Sequence, residues 1–349
     1  MYLGYLDLNN LRSIQKATLE LSPSANLIVG KNGSGKTTTL EGVYLLTKKR
    51  SFVTRNLKKL IQNGKQEAIL FGQVTGSDDL PSMGVSITNQ KITTRLNKNE
   101  VKTKDFIGVL PTGVIESGSS NAFLQSPHIK RKYIDLSVFH VEPCFLNVYI
   151  SYRKSLSHRN AALKNNTNID IWDKPVIDYG LAITSMRKAF IDRANVHFEE
   201  ITNKFFGYKC FIRFYEGWKG NFFADVLKKN RVMDKRYRYT QAGPHRADYE
   251  FFSEKGPVKN YFSRGQIKVI YSIFILAQTK VYQEILRKRG LLLFDDPMSE
   301  LDDESLEFLI GESHALDVQL VLTSIREHKL FMDLNPKLFH VEHGKIIEA

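Results

Sequence analysis

Gly30-Lys31-Asn32-Gly33-Ser34-Gly35-Lys36-Thr37 is the stretch that decides the fold. It fits the phosphate-loop pattern G-x-x-x-x-G-K-[ST], in which loop N–H groups and a lysine hold phosphate oxygens. The apolar run Leu27-Ile28-Val29 precedes it, and Leu40 and Tyr44 follow it with helical spacing. This order predicts a buried strand, a loop and a helix N-terminus, which stabilises anionic phosphate. We expect the stretch to bind ATP, with Lys36 on the outer phosphates and Thr37 on Mg²⁺.

A second element supplies the carboxylates that such a site needs. Leu291-Leu292-Leu293-Phe294 reads as a buried strand, and Asp295-Asp296 follow it directly. A carboxylate at this place holds magnesium in phosphate-loop ATPases, and we assign that role to Asp295. Asp296 would orient or deprotonate the attacking water, so that Asp296 and Lys36 are the predicted catalytic residues. The plainer alternatives are that both acids cap the turn at Pro297 and that the loop is a chance glycine-rich turn.

A third element carries a family resemblance. Phe262-Ser263-Arg264-Gly265-Gln266 resembles the signature of the ABC ATPase superfamily, written L-S-G-G-Q, and Ser299-Glu300-Leu301-Asp302 resembles its D-loop. The resemblance implies that the signature of one subunit contacts the ATP bound to the other, giving an ATP-dependent head-to-tail homodimer. It assigns ATP contacts in trans to Ser263, Arg264, Gly265 and Gln266, and D-loop roles to Ser299 and Asp302. Alone, the signature would more often be a helix cap.

Within the superfamily, the chain resembles the RecF family of bacterial replication and recombinational-repair ATPases. The resemblance covers essentially the whole chain and is carried by Leu11-Arg12-Ser13, residues 47–55, residues 130–135, residues 158–163, Gly243-Pro244-His245-Arg246-Ala247-Asp248 and Ser263 to Lys268. It adds Arg12 to the expected ATP contacts. It also implies a weak, DNA-stimulated ATPase in the cytoplasm that binds double-stranded and single-stranded DNA at gaps and junctions. The implied partners are a RecR-type mediator and, through it, the loading of RecA.

Charge independently suggests a polyanionic partner. The chain of 349 residues carries a formal net charge of +13, although its 42% hydrophobic and 25% charged content is ordinary. The DNA-binding candidates lie between Lys48 and Lys65, where no acid occurs: Lys48, Lys49, Arg50, Arg55, Lys58 and Lys59. Residues 228–238 form a second basic cluster, and Arg153, Lys154, His158 and Arg159 a third. Any one cluster could simply be a solvated face.

Other features bound the function. Cys144 and Cys210 are the only cysteines, too few for a disulfide framework or a zinc site, which fits a reducing cytosol. No signal peptide, membrane-length apolar run or histidine spacing typical of a metal site is evident. The alternative function is a soluble ABC-type ATPase subunit that energises another process such as transport. A small-molecule kinase is disfavoured because the signature would then have no task.

The expected fold class is α/β, an ABC-type phosphate-loop ATPase head with an inserted helical lever-arm subdomain. We place the N-terminal part of the head at 1–125, the helical subdomain at 126–239 and the C-terminal part of the head at 240–349. The predicted strands include 108–110, and the chain is expected to close with a hairpin over 338–347. The insertion is too short and irregular for a long coiled coil.

Departures from the superfamily pattern favour slow hydrolysis that times release from DNA. The second acid is Asp296 where many ABC ATPases carry glutamate. Leu322-Thr323-Ser324 stands where a switch histidine commonly occurs. Gln73 is a candidate for the Q-loop residue only by its order in the chain, and a plain polar residue of a strand is the simpler interpretation.

Overall fold

Two units, each with its own packed interior, contain the residues 1–76, 81–116 and 126–349 that this computed structural model describes. The first unit combines Met1–Ser119 with Arg264–Ala349, and the second comprises Ser120–Ser263. The sequence interpretation placed the second boundary at 239. Residues up to 263 group with the second unit because a strand at Asp248–Ser253 pairs with one at Cys210–Tyr215.

The strands alternate in chain order with helices and short turns. In the described residues they are β1 (Tyr2–Leu11), β2 (Ile14–Glu20), β3 (Ala25–Val29), β4 (Glu67–Thr75), β5 (Ser82–Thr88), β6 (Ile92–Leu96), β7 (Asn99–Glu100), β8 (Thr112–Ile115), β9 (Cys210–Tyr215), β10 (Asp248–Ser253), β11 (Gly256–Pro257), β12 (Leu291–Phe294), β13 (Gln319–Ser324), β14 (Lys337–Glu342) and β15 (Lys345–Glu348).

The helices differ widely in length. They are α1 (Lys36–Lys48), α2 (Thr103–Ile107), α3 (Pro127–Val141), α4 (Phe145–Lys164), α5 (Asp170–Phe206), α6 (Phe223–Lys229), α7 (Arg231–Tyr237), α8 (Val258–Tyr261), α9 (Arg264–Leu286), α10 (Asp303–Ala315) and α11 (Lys329–Met332), with 3-10 turns at Leu57–Lys59, Pro244–Arg246 and Pro297–Ser299. None of the described helices is both long and apolar enough to span a bilayer.

The first unit contains two sheets. One is antiparallel, in the order β2-β1-β4-β5-β6-β7, and its strands alternate buried and exposed residues. The other, in the order β15-β14-β3-β13-β12-β8, is parallel except for the terminal β14–β15 hairpin. Its central strands β3, β12 and β13 are buried along their whole length, as continuous apolar runs predict. The predicted head fold and the closing hairpin are confirmed.

Helix α1 packs against the antiparallel sheet through two glycines. A Cβ on Gly42 would lie 2.6 Å from a methyl carbon of Leu8, and one on Gly72 would lie 2.3 Å from a methyl carbon of Leu46. Twelve of the helix's thirteen residues are buried, including Leu40 and Tyr44. This close packing fixes the start of α1, and therefore the phosphate loop before it, against the sheet.

The second unit is more mixed than a helical insertion. Its helix α5 has 37 residues, which corresponds to about 55 Å. Beside the helices lies a three-stranded antiparallel sheet in the order β11-β10-β9. The sequence pattern predicted the strand at 247–252 but assigned it to the head. The predicted strand at 108–110 is wrong, because this segment is a turn between α2 and β8.

Buried ion pairs tie the helices of the second unit together. Arg159 is fully buried and donates to Asp173 and Asp234 at 2.7 Å each. Arg187 contacts both oxygens of Asp135, at 2.7 and 3.0 Å. Breaking such a pair on one side typically costs about 3–5 kcal/mol, so these contacts fix how α3, α4, α5 and α7 pack.

Candidate nucleotide-binding site

The phosphate loop connects β3 to α1, as its sequence predicts. Gly33 and Gly35 adopt positive φ angles of 78° and 122°, a region that glycine enters without strain. A Cβ on Gly30 would lie 2.4 Å from the Val341 carbonyl oxygen of β14. The neighbouring hairpin turn also supports the loop, because the Gly344 N–H donates to the Ser34 carbonyl at 2.8 Å. Local geometry therefore requires glycine at several loop positions.

Lys36 curls back over the loop. Its Nζ donates to the carbonyl oxygens of Gly30 and Lys31 at 2.7 and 3.0 Å. Burial lowers the pKa of Lys36, and the negative charges of Asp296 and Asp295 oppose this shift. The ammonium is thus held next to the loop by neutral acceptors, where an incoming phosphate oxygen could replace them as a stronger, charged partner.

Asp295 and Thr37 come together from opposite ends of the chain. The Thr37 hydroxyl donates to Asp295 Oδ1 at 2.9 Å, across 258 positions of sequence. The contact arises because β3 and β12 flank β13 in parallel, so that the residues after each strand meet at one sheet edge. Burial raises the pKa of Asp295, while its bonds from Thr37 and Thr323 oppose the shift.

Thr323 joins the two acids. Its hydroxyl donates to Asp295 Oδ1 at 3.0 Å and accepts from the Asp296 N–H at 2.9 Å. Thr323 is fully buried, and Asp296 has a left-handed backbone with φ of 46°. The sequence did not predict this role. The only available signal was a hydroxyl residue near the end of an apolar strand adjacent to the acid-bearing strand.

These residues fit a magnesium-bound nucleotide. The loop has room next to Gly33, where a Cβ would meet nothing within 4 Å. A hydroxyl and a carboxylate in contact are the oxygen ligands that Mg²⁺ prefers. Thr37 and Asp295 would hold the ion, and Lys36 would contact phosphate. Outside these residues, no cluster of three or more His, Cys, Asp or Glu suited to a metal occurs in residues 1–76, 81–116 and 126–349.

Arg12 is engaged with a buried carboxylate beside α1. Its Nε lies 2.6 Å from Glu41 Oε2, and its Nη2 donates to Glu41 Oε1 at 3.0 Å. Ser51 also donates to Glu41. Burial raises the pKa of Glu41, and Ser51 and Arg12 oppose that shift. The Arg12 side chain remains 27% exposed, so an ATP contact by Arg12 stays a prediction.

The signature and D-loop residues lie on the surface of their own chain. Ser263 precedes α9, which begins at Arg264, and Ser263 to Gln266 are exposed, whereas Ile267 is buried. The exposed Ser299 hydroxyl donates to the Asp296 carbonyl at 2.7 Å. Asp302 caps α10 by accepting from the Ser305 N–H at 2.8 Å. Signature helix and D-loop are linked by Lys268 and Glu300 at 2.9 Å.

The chain is similar to proteins of one family over its full length. The profile of the RecF/RecN/SMC N terminal domain family matches residues 2–346. A DNA replication and repair protein RecF of Pseudoalteromonas atlantica is 32% identical over 361 residues, covering 100% of this chain and 99% of the relative. A RecF of Aliivibrio fischeri is 31% identical and covers 100% of both chains. The chain belongs to the RecF family.

Solved structures agree on the fold. The chain matches a structure of "the recombination mediator protein RecF-ATPrS in RecFOR pathway" with a TM-score of 0.87 and 24% identity, covering 100% of this chain and 98% of the other. An Smc head bound to the C-winged helix domain of ScpA matches with a TM-score of 0.61 and 15% identity, over 100% and 98% of the two chains. The first unit is therefore an ATPase head of the type shared by RecF and SMC proteins.

The predicted DNA contacts of the first basic cluster separate by burial. Lys48 is 2% exposed, and its pKa lies well below the ordinary value because of burial. It is therefore wrong as a DNA contact. Lys49 and Arg50 are half-buried and donate to Thr103 and Tyr44. The exposed cations in this region, which we call the basic segment, are Arg55, Lys58 and Lys59.

Burial also revises the other clusters. Arg159 was grouped with exposed cations, but its side chain is fully buried between carboxylates, which excludes contact with DNA. Asp234, the acid of the second cluster, points inward to Arg159, so that exposed Lys235, Arg236 and Arg238 face solvent. Gln73 lies exposed in β4, opposite Tyr5 and Ser82, and its Q-loop role stays a prediction.

Proposed function

We propose that the chain is an ATP-dependent DNA-binding protein of replication and recombinational repair, with ATP hydrolysis as a switch. The contact that carries the proposal joins the Thr37 hydroxyl to the Asp295 carboxylate at 2.9 Å. It brings the predicted magnesium ligands of two distant motifs to one point beside Lys36.

The chemistry follows from charge placed around this point. Lys36 would bind the outer phosphates of ATP through charge-assisted hydrogen bonds. Thr37 and Asp295 would hold Mg²⁺, which when bound neutralises phosphate charge. Asp296 would orient or deprotonate the attacking water from its left-handed position after β12. An aspartate reaches about one methylene less far than glutamate, which is consistent with slow hydrolysis.

ATP would close a head-to-tail homodimer. Ser263 to Gln266 are exposed next to the N-terminus of the 23-residue helix α9, where backbone N–H groups favour an anion. The phosphate bound by a second copy of the chain provides that anion. The exposed D-loop residue Ser299, one hydrogen bond from Asp296, would face the same junction.

DNA would be bound mainly through its phosphates. The basic segment supplies exposed guanidinium and ammonium groups, and a dimer would present two copies of it. Such contacts fix position without reading base sequence. We extend the proposal to single-strand gaps and junctions in the cytoplasm, to a RecR-type mediator as partner, and through it to RecA loading. The support is the family membership and the relatives' description as DNA replication and repair proteins.

Duplex binding at several salt concentrations, with and without ATP, tests the proposal. The basic-segment variant is Arg55→Ala/Lys58→Ala/Lys59→Ala. The control variant, Lys174→Ala/Lys188→Ala/Lys204→Ala, removes the same number of cations from exposed positions on α5. The proposal predicts ATP-dependent binding that Lys36→Ala abolishes. Binding of wild type and Lys36→Ala with equal affinity in ATP would contradict it.

A further inference from the structure

A cavity lies within the second unit, away from the phosphate-loop motif in sequence. It offers about 90 Å³ of space, against the roughly 10–15 Å³ that one water molecule requires. Its walls come from α3, α4, α5 and the Pro244–His245 turn, and the side chains that matter here are His128, Arg131, Lys132, Tyr149, Arg153 and Arg187. Neither the proposed ATP chemistry nor the basic segment uses this cavity.

The lining carries a strong excess of positive charge. It contains four cationic side chains, those of Arg131, Lys132, Arg153 and Arg187, and one carboxylate, that of Asp135. Arg187 already occupies this carboxylate with two hydrogen bonds, at 2.7 and 3.0 Å. The lining therefore supplies no second carboxylate for the remaining cations.

Arg131 shows the consequence most clearly. It is half-buried, and its Nη1 donates to the Ala247 carbonyl at 2.7 Å. Within the part of the chain that the structure describes, it forms no salt bridge. Burial lowers the pKa of Arg131, and the positive charge of Arg187 lowers it further. A guanidinium in such a place is stabilised by a bound anion, because desolvated charge is costly unless it is paired.

The walls are rigid before any ligand arrives. Besides Asp135, Arg187 donates to the Pro244 carbonyl at 2.7 Å. The Tyr152 hydroxyl donates to His245 Nδ1 at 2.7 Å, and His245 Nε2 donates to the Thr240 carbonyl at 3.1 Å. Donors fixed in this way lose little freedom on binding, which favours affinity.

We propose that this cavity binds a phosphoryl group, held by Arg131, Lys132 and Arg153 with Tyr149 beside them. The three cations beyond the Arg187–Asp135 pair match a phosphate monoester, which carries about −1.5 to −2 charges at pH 7 and three acceptor oxygens, better than a single carboxylate. Guanidinium groups suit such oxygens because they donate in a planar fork.

Equilibrium dialysis of the full chain with radiolabelled inorganic phosphate tests the proposal. A non-hydrolysable ATP analogue with Mg²⁺ fills the phosphate loop, so that only a second site is counted. Wild type should bind one phosphate per chain. Arg153→Ala should bind it about ten-fold or more weakly, the usual loss for one charge-assisted hydrogen bond. Arg153 is exposed, so that its removal leaves the buried network intact.

The matched control is Lys154→Ala, an exposed neighbour on α4 that does not line the cavity, and it should bind phosphate as wild type does. No phosphate on wild type, or equal affinity in Arg153→Ala and Lys154→Ala, would overturn the proposal. Competing oligonucleotides identify the source: displacement by a 5′-phosphorylated duplex but not by its 5′-hydroxyl form indicates a strand end, by both the DNA backbone, and by neither a small phosphate compound. An acidic peptide that binds where phosphate does not would also overturn it.

Discussion

Thr323→Val removes one hydroxyl from the junction of the two proposed catalytic acids and keeps the side-chain volume nearly unchanged. In wild type this hydroxyl donates to Asp295 at 3.0 Å and accepts from the Asp296 N–H at 2.9 Å. Because Thr323 is fully buried, water cannot replace either bond. We expect slower ATP hydrolysis and lower stability from this single change.

The magnitude follows from the two lost bonds. A buried N–H left without an acceptor costs about 1–3 kcal/mol, and a donor to a charged group contributes about 1.5–3 kcal/mol. Asp295 keeps its bond from Thr37, so the two costs are not fully additive. We expect the free energy of unfolding to fall by about 2–4 kcal/mol, and kcat to fall about ten-fold or more because Asp296 loses the bond that holds its backbone.

Thr323→Ser is the matched control, since it retains the hydroxyl and loses only a methyl group. Urea unfolding and steady-state ATP hydrolysis should place this variant near wild type and Thr323→Val well below it. The pH profile gives a second readout. Loss of a donor to ionised Asp295 raises its pKa further, so binding of ATP with Mg²⁺ should fail at a higher pH in Thr323→Val. Equal turnover in the valine and serine variants would refute the reasoning.

Three further predictions concern hydrolysis, DNA and pH. Asp296→Asn should keep ATP bound, lower turnover and prolong residence on DNA, whereas wild-type turnover would mean that another group activates the water. The basic-segment variant should lose about 0.9 per lost phosphate contact from the slope of log affinity against log salt, while the control variant keeps the wild-type slope. Burial lowers the pKa of His245 from 6.5 to about 4, so the unfolded chain takes up the proton first as pH falls through this window. Wild-type stability should therefore drop by up to about 3 kcal/mol between these pH values, and a urea-unfolding series should show a weaker drop for His245→Asn.

Local patterns predicted the motifs of the head well. The apolar runs before Gly30 and Asp295 became the buried strands β3 and β12, and the glycine-rich stretch became a loop. Their order in a parallel sheet then brought Thr37 to Asp295. These features were predictable because strand, loop and helix signals are local and the sheet edge gathers strand ends.

Burial of charge was not predictable in the same way. Lys48 and Arg159 are hydrophilic residues within basic runs, yet both are buried. Arg159 is stabilised inside by Asp173 and Asp234, carboxylates from distant parts of the chain. The bridge of Thr323 between the acids likewise depends on the register of two strands, which a linear pattern does not encode.

Sedimentation equilibrium of wild type and Ser263→Arg, with and without ATP and Mg²⁺ and with duplex DNA, tests the central claim most directly. The account predicts that ATP converts wild type to a dimer on DNA. Ser263→Arg should bind ATP with nearly unchanged affinity and remain monomeric, because the exposed signature serves the nucleotide of a second copy. Equal ATP-dependent dimerisation of the two proteins would contradict the account.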